Sequence, residues 1–256
     1  MKGLRTILGD KLFGAYVYGA AASTGAGPAR DIDFHVVLKE PLTSAERSAL
    51  EGLHKSLARQ FPPLGGELDG YYILLEDARA KSPPMSLMWQ RPIDNSWALH
   101  REHIRSGRCL VLHGPDPTGV SPPATWPELE QALRGELGYV EKHLHDYPDY
   151  CILNLCRLVY SFETGEVVIS KAAAADWARS ALPEWVRLIE AARNSYAGRS
   201  APQEREFMLA EVRGLFDFAR ARIEQAAAKR NGKQFRPRAN THTRLTTRSR
   251  LRKNDS

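Results

Sequence analysis

Two aspartates one residue apart, Asp31 and Asp33, open a strongly apolar stretch, DIDFHVVL, over residues 31–38. Strand side chains alternate faces, so the pair points one way, about 7 Å apart at ~3.4 Å per residue. Ile32 and Phe34 then point into a core. Two carboxylates on one face of a rigid element make a poor core but a good clamp for hard cations. A pair of metal ions roughly 3.5–4 Å apart is the arrangement used for in-line phosphoryl and nucleotidyl displacement. The plain alternative is a solvated D-x-D pair. Context favours the clamp, because a short strand over residues 15–18 enters a small-residue turn at Gly19 and the aspartates open the strand that returns.

Positioning such a pair takes a sheet. Leu4, Ile7, Leu8 and Leu12 recur at helical spacing, which predicts a helix over residues 3–13. Thr43 and Glu46 form a capping box for a helix whose Leu50, Leu53, Leu57 and Phe61 face the sheet and which Pro62 and Pro63 stop. A third strand covers residues 68–75, with Asp69 near its start; alone, Asp69 reads as a solvated strand-end acid beside Gly70. Residues 76–96 read as irregular, residues 97–106 as a helix capped by Gly107, and residues 109–113 as a short strand. Prolines 115, 117, 122 and 123 mark a break near residue 120. Beyond it the pattern turns helical over residues 126–145, 149–164, 171–181, 184–197 and 202–229, Ala- and Leu-rich as a bundle requires.

The expected class is α+β: residues 1–120 with a small mixed sheet flanked by helices, residues 121–230 an all-α bundle, and residues 231–256 a disordered basic tail. At 256 residues, 43% hydrophobic and 26% charged, the chain has ample material for a core. From Lys229 onward the net charge is +9, against +6 for the whole chain, so the rest carries −3. The tail has one aromatic, Phe235, which leaves base stacking little to work with, so nucleic-acid binding is not expected beyond nonspecific contacts. No apolar run nears the ~20 residues of a membrane helix. Gly9, Asp10 and Lys11 interrupt any signal core. Cys109, Cys151 and Cys156 are odd in number and lack a C-x-x-C pair, which argues against a disulfide framework or a zinc site and suits a cytoplasmic protein. His100 and His103, or His143 and His145, lack an obvious third ligand and read as surface or packing residues.

The order of Gly turn, D-x-D and apolar strand resembles the polymerase-β-like nucleotidyltransferases. Residues 153–198 sharpen this. Their ordered run of Arg157 and Tyr160, T-G, S-K, A-A-D-W-A, L-P and A-R-x-x-Y resembles the C-terminal domain of streptomycin/spectinomycin-type aminoglycoside adenylyltransferases. With the YG…DIDFHVV turn and the stretch at residues 42–47, the similarity covers residues 15–200 in patches.

The resemblance implies Mg²⁺- and ATP-dependent transfer of AMP to a hydroxyl of an aminocyclitol antibiotic such as streptomycin or spectinomycin, with two Mg²⁺ ions. By motif it makes Asp31, Asp33 and Asp69 the metal-binding acids, with Asp69 also the catalytic carboxylate. Gly19 and Ala20 would meet the triphosphate, as would Arg30, or Arg30 is a solvated turn residue. Arg157, Lys171 and Tyr196 match positions that reach the nucleotide, and a Lys opening a helix suits a phosphate neighbour. On the acceptor side Trp97 is the nearest candidate, with a packing role as its other reading. Asp146 and Asp149 bracket the expected acid. A cationic, hydroxyl-rich small molecule suits an aromatic face and carboxylates. One departure stands out: Ala20 replaces the motif serine, a loss of about 1.5–3 kcal/mol for a hydrogen bond to a charged group, which Ser23 or Thr24 would offset. Other acceptors (a protein or a metabolite), or a nucleotide-binding homologue with weakened catalysis, are the alternatives.

Overall fold

The computed structural model describes residues 1–22, 29–93, 96–106 and 108–234. Helix α1 (Lys2–Leu8) passes through a 3-10 turn into strand β1 (Leu12–Tyr18), which pairs antiparallel with β2 (Ile32–Leu38). The helix is shorter than the apolar spacing suggests. Gly9 takes φ 50°, which breaks the helix, and Leu12 is buried on the strand instead. Helix α2 (Ser44–Gln60) starts at its capping box, with Thr43 Oγ1 accepting from Glu46 N at 3.2 Å and Glu46 Oε2 accepting from Thr43 N at 2.7 Å. Leu50 is buried and Leu53 packs beneath the sheet, but Phe61 is 60% exposed because the helix has already ended.

Strand β3 (Leu68–Leu74) lies parallel to β2, with Asp69 directly beside Asp33. The stretch expected to be irregular holds a single helical turn, α3 (Leu75–Ala78), and a minimal hairpin of β4 (Met85–Ser86) and β5 (Arg91–Pro92). Helix α4 (Trp97–Arg105) leads to β6 (Leu110–His113), antiparallel to β1, while its expected cap Gly107 lies outside the described residues. The sheet order is β3-β2-β1-β6. Alternation along β2 divides the core: Phe34, Val36 and Leu38 meet Leu8 and Leu50 on one side, and Val37 meets Tyr16, Ile73 and Trp97 on the other. Asp33 and His35 share the second side, where α4 packs.

Helices α5 (Trp126–His143), α6 (Pro148–Thr164), α7 (Lys171–Ala181), α8 (Val186–Tyr196) and α9 (Pro202–Gln234) follow. The middle of α6 is buried on every side, with Ile152, Leu155, Cys156 and Val159 wholly inside. Burying one such aliphatic side chain is worth ~1.5–3 kcal/mol. Gly165 closes α6 in the left-handed conformation at φ 86°. Helix α9 runs to Gln234, past the expected end at Lys229, so residues 231–234 are helical and not disordered; residues 235–256 lie outside the described residues. Among the described residues no helix is long and apolar enough to cross a membrane.

Sheet and helices are bolted together at α4. Arg101, fully buried, pairs through Nη2 with Glu128 Oε1 at 2.5 Å, and Glu128 also serves the capping box that starts α5. Arg105 donates to the carbonyls of Thr118 and Ser121, which holds the proline-rich junction against α4. We propose residue 120 as the division between the two units, since the sheet precedes it and the bundle follows.

Candidate active site

The floor of one cleft, about 420 Å³, is the edge of the sheet where β1 ends and β2 and β3 begin. Asp31, Asp33 and Asp69 all line it. Asp33 carries the electrostatic load: burial first, then the Asp31 and Asp69 carboxylates, push its pKa up to about 7, against relief from Lys171 and Arg157. Gly19 is required here on two counts. Its φ of 69° is in the left-handed region, and a Cβ at this position would collide with Asp33 Oδ2. At Gly70 a Cβ would strike the Phe34 carbonyl, so glycine lets β3 approach β2 and set Asp69 beside Asp33. Ala20 lines the cleft next to Gly19, whereas Ser23 and Thr24 lie outside the described residues.

Beneath these acids is a packed aromatic layer. Tyr18 Oη lies 2.8 Å from His100 Nδ1 and 3.3 Å from His35 Nε2, and the two imidazoles stack at 5.5 Å. His100 Nε2 is 2.8 Å from Ser96 Oγ. Burial, then Asp33, holds the Tyr18 hydroxyl well above its ordinary range, and burial holds His35 neutral. His100 and His103 face the cleft as packing residues.

The opposite wall is helical and cationic. Lys171, at the start of α7, has its Nζ 4.6 Å from the Tyr150 ring centre and 3.3 Å from Tyr196 Oη. Burial first, then Arg157, lowers its pKa to about 8, while Asp31, Asp33 and Glu136 pull the other way. Ser170 caps α7, its Oγ accepting from Ala173 N at 3.1 Å. Arg157 reaches the same space from α6, and Arg108 from beyond α4 is anchored on the Val168 carbonyl at 2.9 Å.

Four expected site residues stand elsewhere. Trp97 is 1% exposed, stacks on His35 at 5.4 Å and donates through Nε1 to the Ala80 carbonyl, so it packs the core and presents no face to an acceptor. Arg30 lies over the Tyr196 ring at 3.8 Å and donates to the carbonyls of Ser195 and Tyr196, so its guanidinium is spent on the end of α8. Asp149 is its companion, 3.7 Å from Arg30 and accepting from Ser195 Oγ at 3.0 Å, and it does not line the cleft. Asp146 is exposed on the turn between α5 and α6, also off the cleft.

Glu136 of α5 and Asn154 of α6 line the cleft and were not among the expected residues. Each had a signal. Leu129, Leu133 and Val140 mark the buried stripe of α5, and Glu136 falls on that stripe, as Asn154 falls on the buried face of α6. A polar residue on an apolar stripe signals either a structural bond or a ligand.

The donor chemistry of Asp31 and Asp33 suits a hard divalent cation, and such an ion would offset the carboxylate repulsion that adds to burial in raising Asp33. Among the described residues no group of three or more His, Cys, Asp or Glu could by itself hold a metal ion.

Residues 122–222 match the family model described as aminoglycoside adenylyltransferase, C-terminal domain. The chain is 24% identical to spectinomycin 9-adenylyltransferase of Campylobacter jejuni, across 86% of this chain and 91% of that protein. It is 23% identical to the Enterococcus faecalis enzyme of the same name, across 77% and 84%. The crystal structure of an Enterococcus spectinomycin adenyltransferase with ATP and spectinomycin superposes with a TM-score of 0.60 at 19% identity, covering 87% of this chain and 96% of that one, a likeness of fold. The chain is a nucleotidyltransferase similar to the aminoglycoside adenylyltransferases.

Proposed function

We propose that the chain transfers AMP from ATP to a hydroxyl of an aminocyclitol antibiotic, with spectinomycin as the first acceptor to test. One observation carries this: a single cleft sets acids on a sheet edge against Lys171, Arg157 and Tyr196 on a helical wall. Each wall is strained by its own charges, and a nucleotide polyphosphate with a divalent cation answers both. Mg²⁺ held by Asp31 and Asp33 would neutralise charge on the α-phosphate. Lys171 and Arg157 bind the outer phosphates, and Gly19 lets the backbone come close. Asp69, exposed beside Asp33, accepts the proton of the acceptor hydroxyl as its oxygen bonds to the α-phosphorus and pyrophosphate departs.

The spectinomycin named for each relative supports that acceptor ahead of streptomycin. Expressing the gene in a sensitive bacterium and challenging with each antibiotic separately tests the reading. Growth on spectinomycin is expected, and sensitivity to both drugs with the protein present in soluble form contradicts it.

A further inference from the structure

Resting on that reading, we propose that Glu136 is the acceptor-recognising residue, taking an ammonium group of the aminocyclitol on the helical wall of the cleft. Half-buried Glu136 falls between Leu133 and Leu137 on the stripe that α5 turns inward and lines the cleft, yet among the described residues it forms no ion pair. Its one hydrogen bond there is a long one, from Asn154 Nδ2 to Oε2 at 3.3 Å. Asn154 is 3% exposed, so that bond fixes one carboxylate oxygen of a side chain that lines the cleft, and leaves Oε1 without a hydrogen bond among the described residues. A carboxylate lining a cleft with no cation paired to it offers a charged partner to a cationic ligand. Lys171 is within electrostatic reach but is held between the rings of Tyr150 and Tyr196, on the side of Asp31 and Asp33.

The nucleotide does not answer this need. Its phosphates are anionic and belong with Lys171 and Arg157, and its cation belongs with Asp31 and Asp33. What remains to meet Glu136 is the acceptor, and the chemistry it asks for is an amine charged at neutral pH, placed a short distance from the hydroxyl that Asp69 activates. The role is recognition, separate from the phosphoryl step.

Steady-state AMP transfer from ATP to spectinomycin by wild type, Glu136→Gln and Glu136→Asp tests this. Glutamine keeps the oxygen that accepts from Asn154, so the wall keeps its shape while losing its charge. The expected result is a KM for spectinomycin raised about tenfold or more, with kcat within about twofold, an unchanged KM for ATP, and partial recovery in Glu136→Asp. An unchanged acceptor KM in Glu136→Gln, or a raised KM for ATP in its place, overturns the inference while the proposed function stands. Wild type that binds ATP but transfers AMP to no aminocyclitol overturns the proposed function, and this inference with it.

Discussion

The two walls of the cleft are opposites in chemistry and alike in their predicament. On the sheet wall, burial and then the neighbouring Asp31 and Asp69 carboxylates push the pKa of Asp33 up to about 7. On the helical wall, desolvation and then Arg157 lower the pKa of half-buried Lys171 to about 8. Neither wall is a favourable place for its own charges, and each eases the other. Structural ion pairs in this chain look different: Arg101 and Glu128 meet at 2.5 Å, and Arg222 and Glu163 at 2.5 Å. Acids and cations set on opposed walls of one cleft, with pKa values displaced in opposite directions, are the pattern of a functional site and support the proposed one.

The largest effect is expected from Asp33→Asn, which should cut AMP transfer about 10³-fold or more if Asp33 holds the cation. The same change should stabilise the fold. With a folded pKa above the unfolded value of 3.8, wild type loses stability as Asp33 ionises on the way up through pH 7. Asparagine carries no such cost. In the absence of divalent cations, Tm of Asp33→Asn minus wild type should grow between pH 5 and pH 8, at about 2–4 °C for each kcal/mol relieved. Calorimetry across that range checks it.

On the other wall, Lys171→Met should lower kcat/KM for ATP about 10- to 100-fold. In wild type that parameter reports the free enzyme, so its pH profile should rise through about 7 as Asp33 ionises and fall beyond about 8 as Lys171 loses its proton. The alkaline limb should vanish in Lys171→Met.

Away from both walls the signatures separate. Trp97→Ala should cost about 3–5 kcal/mol of stability, and Trp97→Phe should lower Tm while leaving the acceptor KM unchanged, because the indole is enclosed by the core. Arg30→Ala should cost under about 1 kcal/mol, since its side chain is 45% exposed and its ion pair with Asp149 is near the surface. The KM for ATP should stay within about twofold, since its guanidinium is tied to α8.

How much of this was legible beforehand follows from the range of the forces involved. Asp31 and Asp33 were readable as a pair because strand alternation is a local rule, whereas Asp69 read alone as a solvated strand-end acid and entered through the resemblance; the parallel pairing of β2 with β3 sets it beside Asp33. Lys171, Arg157 and Tyr196 came through resemblance alone, since nothing in the local sequence says that α6, α7 and α8 converge on one cleft. Trp97 kept two readings, acceptor contact and packing, because an aromatic at a helix start reads the same buried or exposed, and its burial and stack on His35 favour packing. Arg30 was drawn away by the end of α8, some 165 residues along the chain, a contact that no spacing reveals. Glu136 was in view as a charge on an apolar stripe and was passed over.

The most direct test of the cleft as the meeting place of ATP and acceptor is the coupled yield of adenylylated spectinomycin and pyrophosphate from wild type, Asp33→Asn and Asp69→Asn. Opposed walls predict equal amounts of both products from wild type and neither from the two variants, each folded by calorimetry. Product formation undiminished in Asp69→Asn, or none from wild type under conditions where ATP binds, would contradict it.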